Sequence, residues 1–569
     1  MTALAHQSRS RRHRRRRAWG AWRGGGRCPA APYIITANQA LWTYYPLASA
    51  AGRAAGDLPL YTVPGPGAAR YIDAQHIYFT SSMPVVSTFI RSDGIGGLRS
   101  WSYGYAEAMY NQMGRGMQGF RALIEEDDGA GLRTTTTFHQ KFPLTGQVER
   151  VVVNPIARDG EAGTIRSEDQ VWRCNRANRA DAAACSGPAP ANGVWFPYLD
   201  SRETKIFDAS QALSGTPALI SRTLQVNADD STCEGAFASA SGFDVYGNLT
   251  ASTQLTFDEG AGSAGFEHFV ALHCQRSRSS FTVNTGSWWL DQLTQTSTTT
   301  HQVFGTAHPL PAGASAPDQT QTSTFNWNAN RTPASQTLQP GVTGQTRTTS
   351  FAYPATNYGL PSSVTVSAAG DANGSRTTST NYSADGYFPQ TVSNPLGQST
   401  TTLTRSRDGQ PSQSSDIQDR LSRFTYDVFG RSVRAEFLGS DGVTRLQPDQ
   451  RMALTASAGG YQITTVQDGA PTQVSVFDAF GRVIKARSKL QDGTWSNVDT
   501  QYDALGRQVA TSAPYRSSPV FTRISGFDVV GRPLGKTSPA DGDDGNASRV
   551  TTYAYIGRET RIHVCGNLG

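Results

Sequence analysis

Long apolar runs are missing from this chain. No stretch of about 20 apolar residues occurs, the length a helix needs to span a bilayer. An apolar secretory leader is missing too, because Arg17 is followed by Trp19, Gly20 and further Arg instead of a hydrophobic segment. Export is therefore expected to use another route or a separate carrier, from a cytoplasmic starting point. Cysteine is scarce: six residues in 569 are too few for a disulfide scaffold, and none forms a C-x-x-C or a Cys/His cluster at metal-ligand spacing. The nine His are scattered, and neither H-E-x-x-H nor G-x-S-x-G is present. Charged residues make up only 17%.

The formal charge of +6 is unevenly placed. Nine Arg and no acid lie in residues 1–27, which leaves the rest of the chain at −3. The run Arg9 to Arg17 suits non-specific contact with polyanions, but its low-complexity surroundings read as a disordered basic tail over residues 1–32. The body is not basic, and no specific nucleic-acid partner is expected.

What is abundant is Gly, at 57 residues, together with Thr and Ser in runs such as Thr298 to Thr300, Thr320 to Thr324 and Ser399 to Thr402. Thr suits a half-buried pleated strand, and Gly supplies the positive φ that tight hairpins need. This is an all-β profile.

One string recurs. Phe477-Asp-Ala-Phe-Gly-Arg482, Tyr502-Asp-Ala-Leu-Gly-Arg507 and Phe527-Asp-Val-Val-Gly-Arg532 start 25 residues apart, and Tyr426-Asp-Val-Phe-Gly-Arg431 precedes them by 51 residues. Phe243-Asp-Val-Tyr-Gly-Asn248 is an earlier copy. A fixed period of this kind marks a repeat array. Each string reads as a hairpin tip, with Asp427, Asp478, Asp503 and Asp528 bonding the backbone just ahead and Gly430, Gly481, Gly506 and Gly531 left-handed. That is a type I turn followed by a G1 bulge. The aromatic before each Asp is expected to stack on the aromatic of the neighbouring repeat. Such units cannot bury a face alone and must pair edge to edge in one long sheet.

These residues resemble the RHS or YD repeat, whose consensus is similar to Tyr502-Asp-x-x-Gly-Arg507. Upstream, Tyr103 to Phe120, Thr134 to Phe138, Phe142 to Gly146 and Val194 to Leu199 resemble the region joining the two halves of Tc insecticidal toxin B components and SpvB-like virulence proteins. The resemblance covers about residues 80–565. It implies a long curling antiparallel sheet, part of a cocoon shell that encloses a toxic C-terminal polypeptide. It also implies secretion or display at the cell surface, and toxin cargo or other toxin-complex subunits as partners. Residues 33–200 then form the lead-in, 201–400 a degenerate shell segment and 401–569 the YD repeats. Intact members carry an Asp-Pro at a self-cleaving core, and this chain has none. The expectation is a fragment that ends before the core and its toxin. The ADP-ribosyltransferase signature of SpvB-like proteins, two Glu separated by one residue, is also missing.

Other motifs weigh little. Gly114-Arg-Gly116-Met-Gln-Gly119 has the dinucleotide-loop spacing without a strand before it or a helix after it. Gly531 to Thr537 is one residue short of a phosphate loop, and Pro533 removes an N–H from it. No catalytic, cofactor or metal site is assigned, and the chain is read as non-enzymatic. Aromatics such as Trp288-Trp289, Tyr44-Tyr45 and Tyr103 with Tyr105 read as filling a sheet interior or a repeat interface; placed on a β-surface they could stack on sugars, which leaves a second reading, a surface adhesion array with a glycan partner. Cys174 with Cys185, and Cys233 with Cys274, are candidate disulfides, the alternative being four unpaired small residues.

Overall fold

The computed structural model describes residues 40–565, apart from 50–55, 64–70, 157–162, 176–184, 186–193, 211–218, 229–240, 259–270, 302–316, 355–358, 373, 458, 541–547 and 557–558. The Arg-rich segment 1–32 and Cys233 lie outside the described residues. The described residues belong to the compact unit Ala37–Gly569.

Among the described residues the regular structure is almost entirely strand, and 33 strands belong to one sheet. Neighbours in sequence are almost always neighbours in space. From Pro84–Ser92 onward, each successive strand of the sheet pairs antiparallel with the one before it, as far as Glu559–Cys565. Ala40–Pro46 pairs with Pro84–Ser92 at the start. A small three-stranded sheet, His76–Tyr78, Met109–Asn111 and Gly116–Met117, sits beside the long one.

The Thr-rich composition has a local explanation. Opposite hydroxyls bond across neighbouring strands, as in Thr299–Thr320 at 2.9 Å, Thr337–Thr348 at 3.1 Å, Thr365–Thr377 at 2.8 Å and Thr391–Thr401 at 3.2 Å. Cross-strand pairs of this kind are the unit of sheet stability. They let a wall with partly exposed faces hold together without a thick core. The best-packed apolar cluster is Leu47, Leu60, Val85 and Ala108, with Tyr45, Tyr105 and Phe120 against it.

The sheet also returns upon itself. Arg482 donates from Nη2 to the Asp93 carbonyl at 3.1 Å. Arg91 lies 5.9 Å from the centre of the Phe480 ring, and a side chain at Gly94 would collide with that ring. One hairpin further along each winding, a Cβ on Gly129 would touch Leu505. Further on, Ser210 Oγ donates to the Tyr555 carbonyl at 3.2 Å. Turns from one edge of the early strands thus seat on hairpin tips at the opposite edge of strands some 345 to 389 residues later. This seam is made by turns and side chains. The hydrogen-bonded sheet itself stays open.

Candidate functional site

The tips come first, because the repeats concentrate there. Gly430, Gly481, Gly506 and Gly531 have φ of 77°, 79°, 84° and 87°. In the Asp503 tip, the Gly506 N–H donates to the Asp503 carbonyl at 3.0 Å and the Asp503 N–H to the Arg507 carbonyl at 2.9 Å. The side chain closes the loop, with Oδ1 accepting from the Leu505 and Arg507 amides and Oδ2 from Arg507 Nε at 2.7 Å. The other three tips repeat this scheme. At the early copy Asn248 replaces Arg, and its Nδ2 donates to Asp244 Oδ2 at 2.8 Å in place of the guanidinium.

The aromatic before each Asp only partly follows the expected ring-on-ring ladder. Tyr461 and Phe477 do stack, with centroids 4.8 Å apart. Phe243 likewise meets the rings of Tyr198 and Phe196, at 5.1 Å and 5.9 Å. Along the last repeats the neighbour is instead the arginine of the preceding tip. Arg482 lies over Tyr502 at 4.9 Å, Arg507 over Phe527 at 4.0 Å and Arg532 over Tyr555 at 4.2 Å. Where the aromatic is Tyr, its hydroxyl also donates to a backbone carbonyl beside the preceding turn, at Pro411, Val483 or Pro533. The reason is geometric. A guanidinium fixed edge-on by its own Asp presents a flat cationic face outward, and a ring's negative face is a better partner for it than a second ring would be.

Sequence reading missed other turns of the same build. Asn394 to Gln398 accepts the Leu396 and Gln398 amides on Asn394 Oδ1, with Gly397 at φ 79°. Asp416 to Arg420 does the same around Asp419, a non-glycine at φ 58°. A signal was available: a short polar residue three positions before Gly or Asp.

The other candidates are placed as follows. Cys174 and Cys185 form a disulfide with Cα atoms 5.2 Å apart. Cys274 is fully buried and disulfide-bonded. Gly114, Gly116 and Gly119 all take positive φ in a turn around the two-residue strand Gly116–Met117. Gly535 begins a strand, Gly535–Ser538. Trp289 meets Trp327 edge-on at 6.2 Å, with Arg331 over it at 4.9 Å, while Trp288 is exposed.

A cavity of about 770 Å³ lies at the small sheet, lined by His76, Asn111, His139, Gln140, Phe142 and Trp195 among others. His76 Nδ1 sits 2.8 Å from Asp73 Oδ1, and its Nε2 lies 3.0 Å from Asn111 Nδ2. The Lys141 ammonium bonds Asp73 Oδ2 at 2.8 Å, and chiefly for that reason holds the carboxyl well below its usual range. Burial pushes His139 down. A carboxylate-oriented imidazole resembles half of a catalytic pair, but here the second nitrogen faces an amide where nucleophilic catalysis needs a hydroxyl or thiol. The His76–Asn111 contact ties two strands of the small sheet together, and Lys141 reaches the turn before it through Asp73. Among the described residues, no group of three or more His, Cys, Asp or Glu is placed to hold a metal ion.

Comparison with solved structures decides the fold. The chain aligns with the Photorhabdus luminescens Tc holotoxin pore at a TM-score of 0.51 and 9% identity, over 84% of its own length. It has the fold of a Tc toxin chain. Two crystal structures align over the same share: TcdB2-TccC3-Cdc42 at a TM-score of 0.48 and 10% identity, and TcdB2-TccC3 without its hypervariable C-terminal region at 0.45 and 11%. This Tc-like wall spans only 36% to 37% of the length of those chains. No family model and no curated protein matches it. No helix among the described residues is long and apolar enough to cross a membrane.

Proposed function

We propose that this protein is a structural wall segment of a secreted Tc/RHS-type toxin shell, acting by enclosing or delivering a toxic polypeptide and not by catalysis. The observation that carries this reading is the seam. A sheet whose early turns rest on tips up to 389 residues later is built to surround something. The tip chemistry supports the same role, since Arg482, Arg507 and Arg532 each hold their own turn through an Asp and grip the ring of the next repeat. Along the wall, residues 33–200 serve as the lead-in, 201–400 as a degenerate shell segment and 401–569 as the regular repeats. Its partners are cargo and other toxin-complex subunits. The Cys174–Cys185 bridge fits maturation in an oxidising, extracellular setting.

The test is co-expression of the full chain with the products of its neighbouring reading frames, followed by trypsin digestion of the purified complex. A shell component co-purifies with a polypeptide that resists the protease until the complex is denatured. A neighbour that is digested equally fast with and without this chain overturns the reading.

A further inference from the structure

Among the described residues, the first and last strands of the sheet, Ala40–Pro46 and Glu559–Cys565, each pair on one side, and they differ in chemistry. The outer edge of Glu559–Cys565 carries Glu559, Arg561 and His563 at alternate positions, with an ion pair of 2.8 Å between Glu559 and Arg561. Charge on an edge strand is a standard device against pairing with other chains. Ala40–Pro46, with the sequence Ala-Leu-Trp-Thr-Tyr-Tyr-Pro, has no charge at all. Among the described residues only Pro84–Ser92 pairs with it, and no described strand lies against its other edge. Leu41, Trp42 and Tyr44 on this strand are 43%, 50% and 59% exposed. The one irregularity in its pairing places the extra residue, Ser87, on the neighbouring strand, which leaves Ala40–Pro46 regular.

An aromatic ladder ends at this edge. Trp101 is flanked by Arg91 and Arg99, at 5.0 Å and 4.6 Å from the ring centre. It meets Phe89 at 5.2 Å, and Phe89 stacks on Trp42 at 4.7 Å. Trp42 has nothing beyond it on the far side among the described strands. Antiparallel pairing of this strand with itself about Thr43 sets Trp42 opposite a Tyr44 and Leu41 opposite a Tyr45, on both sides of the two-fold axis. Pro46, which lacks an N–H, falls at the last pair, where the loss matters least. The sequence is self-complementary in that register: aromatic meets aromatic twice, and no charge is buried.

We propose that Ala40–Pro46 is a homodimerisation edge, pairing antiparallel with the same strand of a second copy, with Thr43 on the two-fold axis. The interface is isologous, so it closes at two copies and does not propagate. One seven-residue strand pair is small for a stable interface, which sets the dissociation constant on the order of micromolar. The proposal rests on the edge and its ladder, and stands apart from the shell reading.

Sedimentation velocity of the full chain over roughly 1–100 μM tests it. The wild type is expected to shift from monomer to dimer over this range. T43K places two ammonium groups side by side at the axis and is expected to weaken the dimer by about tenfold or more, and T43E likewise. Mixing T43K with T43E restores dimers, an outcome that misfolding of either variant would not produce. Under mild oxidation T43C gives a disulfide-linked dimer that the wild type does not form. L41C stays unlinked, because in this register its two copies lie about 13 Å apart. A wild type that remains monomeric throughout, a dimer indifferent to T43K, or a T43K/T43E mixture that fails to associate overturns the proposal.

Discussion

The guanidinium of Arg507 lies 4.0 Å from the centre of the Phe527 ring while its Nε donates to Asp503 Oδ2 at 2.7 Å. One side chain thereby closes its own turn and holds the next repeat. Replacing Arg507 by Ala removes both contacts. For a partly exposed pair the loss is expected to be about 1–2 kcal/mol. Lys at this position keeps the charge but loses the planar fork, and recovers less than half. A long repeat array does not unfold in one step, so the readout is hydrogen exchange of the strands Gln508–Ser512 and Phe521–Ile524. Unchanged protection in R507A would contradict this role.

Tip geometry separates two glycine experiments of opposite sign. Gly506 has φ 84°, where a β-branched residue is strained, so Gly506→Val costs about 1–3 kcal/mol locally. Asp419 holds an equivalent turn position at φ 58° without being glycine. Asp419→Gly relieves that strain and is expected to be neutral or to stabilise by up to about 1 kcal/mol. Local hydrogen exchange at each tip measures both.

The same pair of positions explains what could be read in advance. The all-β class and the tip conformation were legible because Asp, Gly and Arg recur as a string of letters. The turn itself asks for less: a side-chain oxygen at the first position and a left-handed residue at the fourth. Asn394 with Gly397, and Asp416 with Asp419, meet that demand with other letters and so escaped notice. Ring meets ring at Phe477 and Phe243 as expected, but at Tyr502 and Phe527 the partner is Arg, because one guanidinium serves both its own turn and the next repeat, a double role that the string of letters does not display. The seam was out of reach, since Arg482 and Asp93 meet only once hundreds of residues have fixed the curvature between them.

Acid should loosen the exposed tips. The Arg431 guanidinium, helped by the Arg431 and Phe429 amides, holds the Asp427 carboxyl below its usual 3.8, and Arg420 does the same for Asp416. A carboxyl depressed in the folded state contributes its stabilisation fully above the unfolded value, and loses it as pH falls through the folded one. Protection of the Gly430 amide, corrected for intrinsic exchange, is therefore expected to be flat above about pH 5 and to decline below about pH 4. Asp427→Asn should abolish that decline. A loss of protection between roughly pH 5 and 7 would point to a different group.

The seam predicts a coupled pair. Gly94 has φ 80°, and a side chain there runs into the Phe480 ring, so Gly94→Val is expected to cost about 3 kcal/mol at the seam. Removing the ring with Phe480→Ala relieves the collision but not the backbone strain. The double variant should therefore be less destabilised than the sum of the two single ones. Strict additivity in proteolysis of the 93–97 turn would mean that the two residues do not touch.

The central feature of the protein is a single sheet wound back upon itself, and cryo-electron microscopy of the full chain tests that most directly. The predicted map shows one continuous succession of antiparallel hairpins, with the turn at Asp93 to Gly97 resting on the tip at Asp478 to Arg482 and the turn at Gly129 resting beside Leu505. A map in which those tips stand free of the early strands, or in which the repeats fold into separate solid domains, would contradict it.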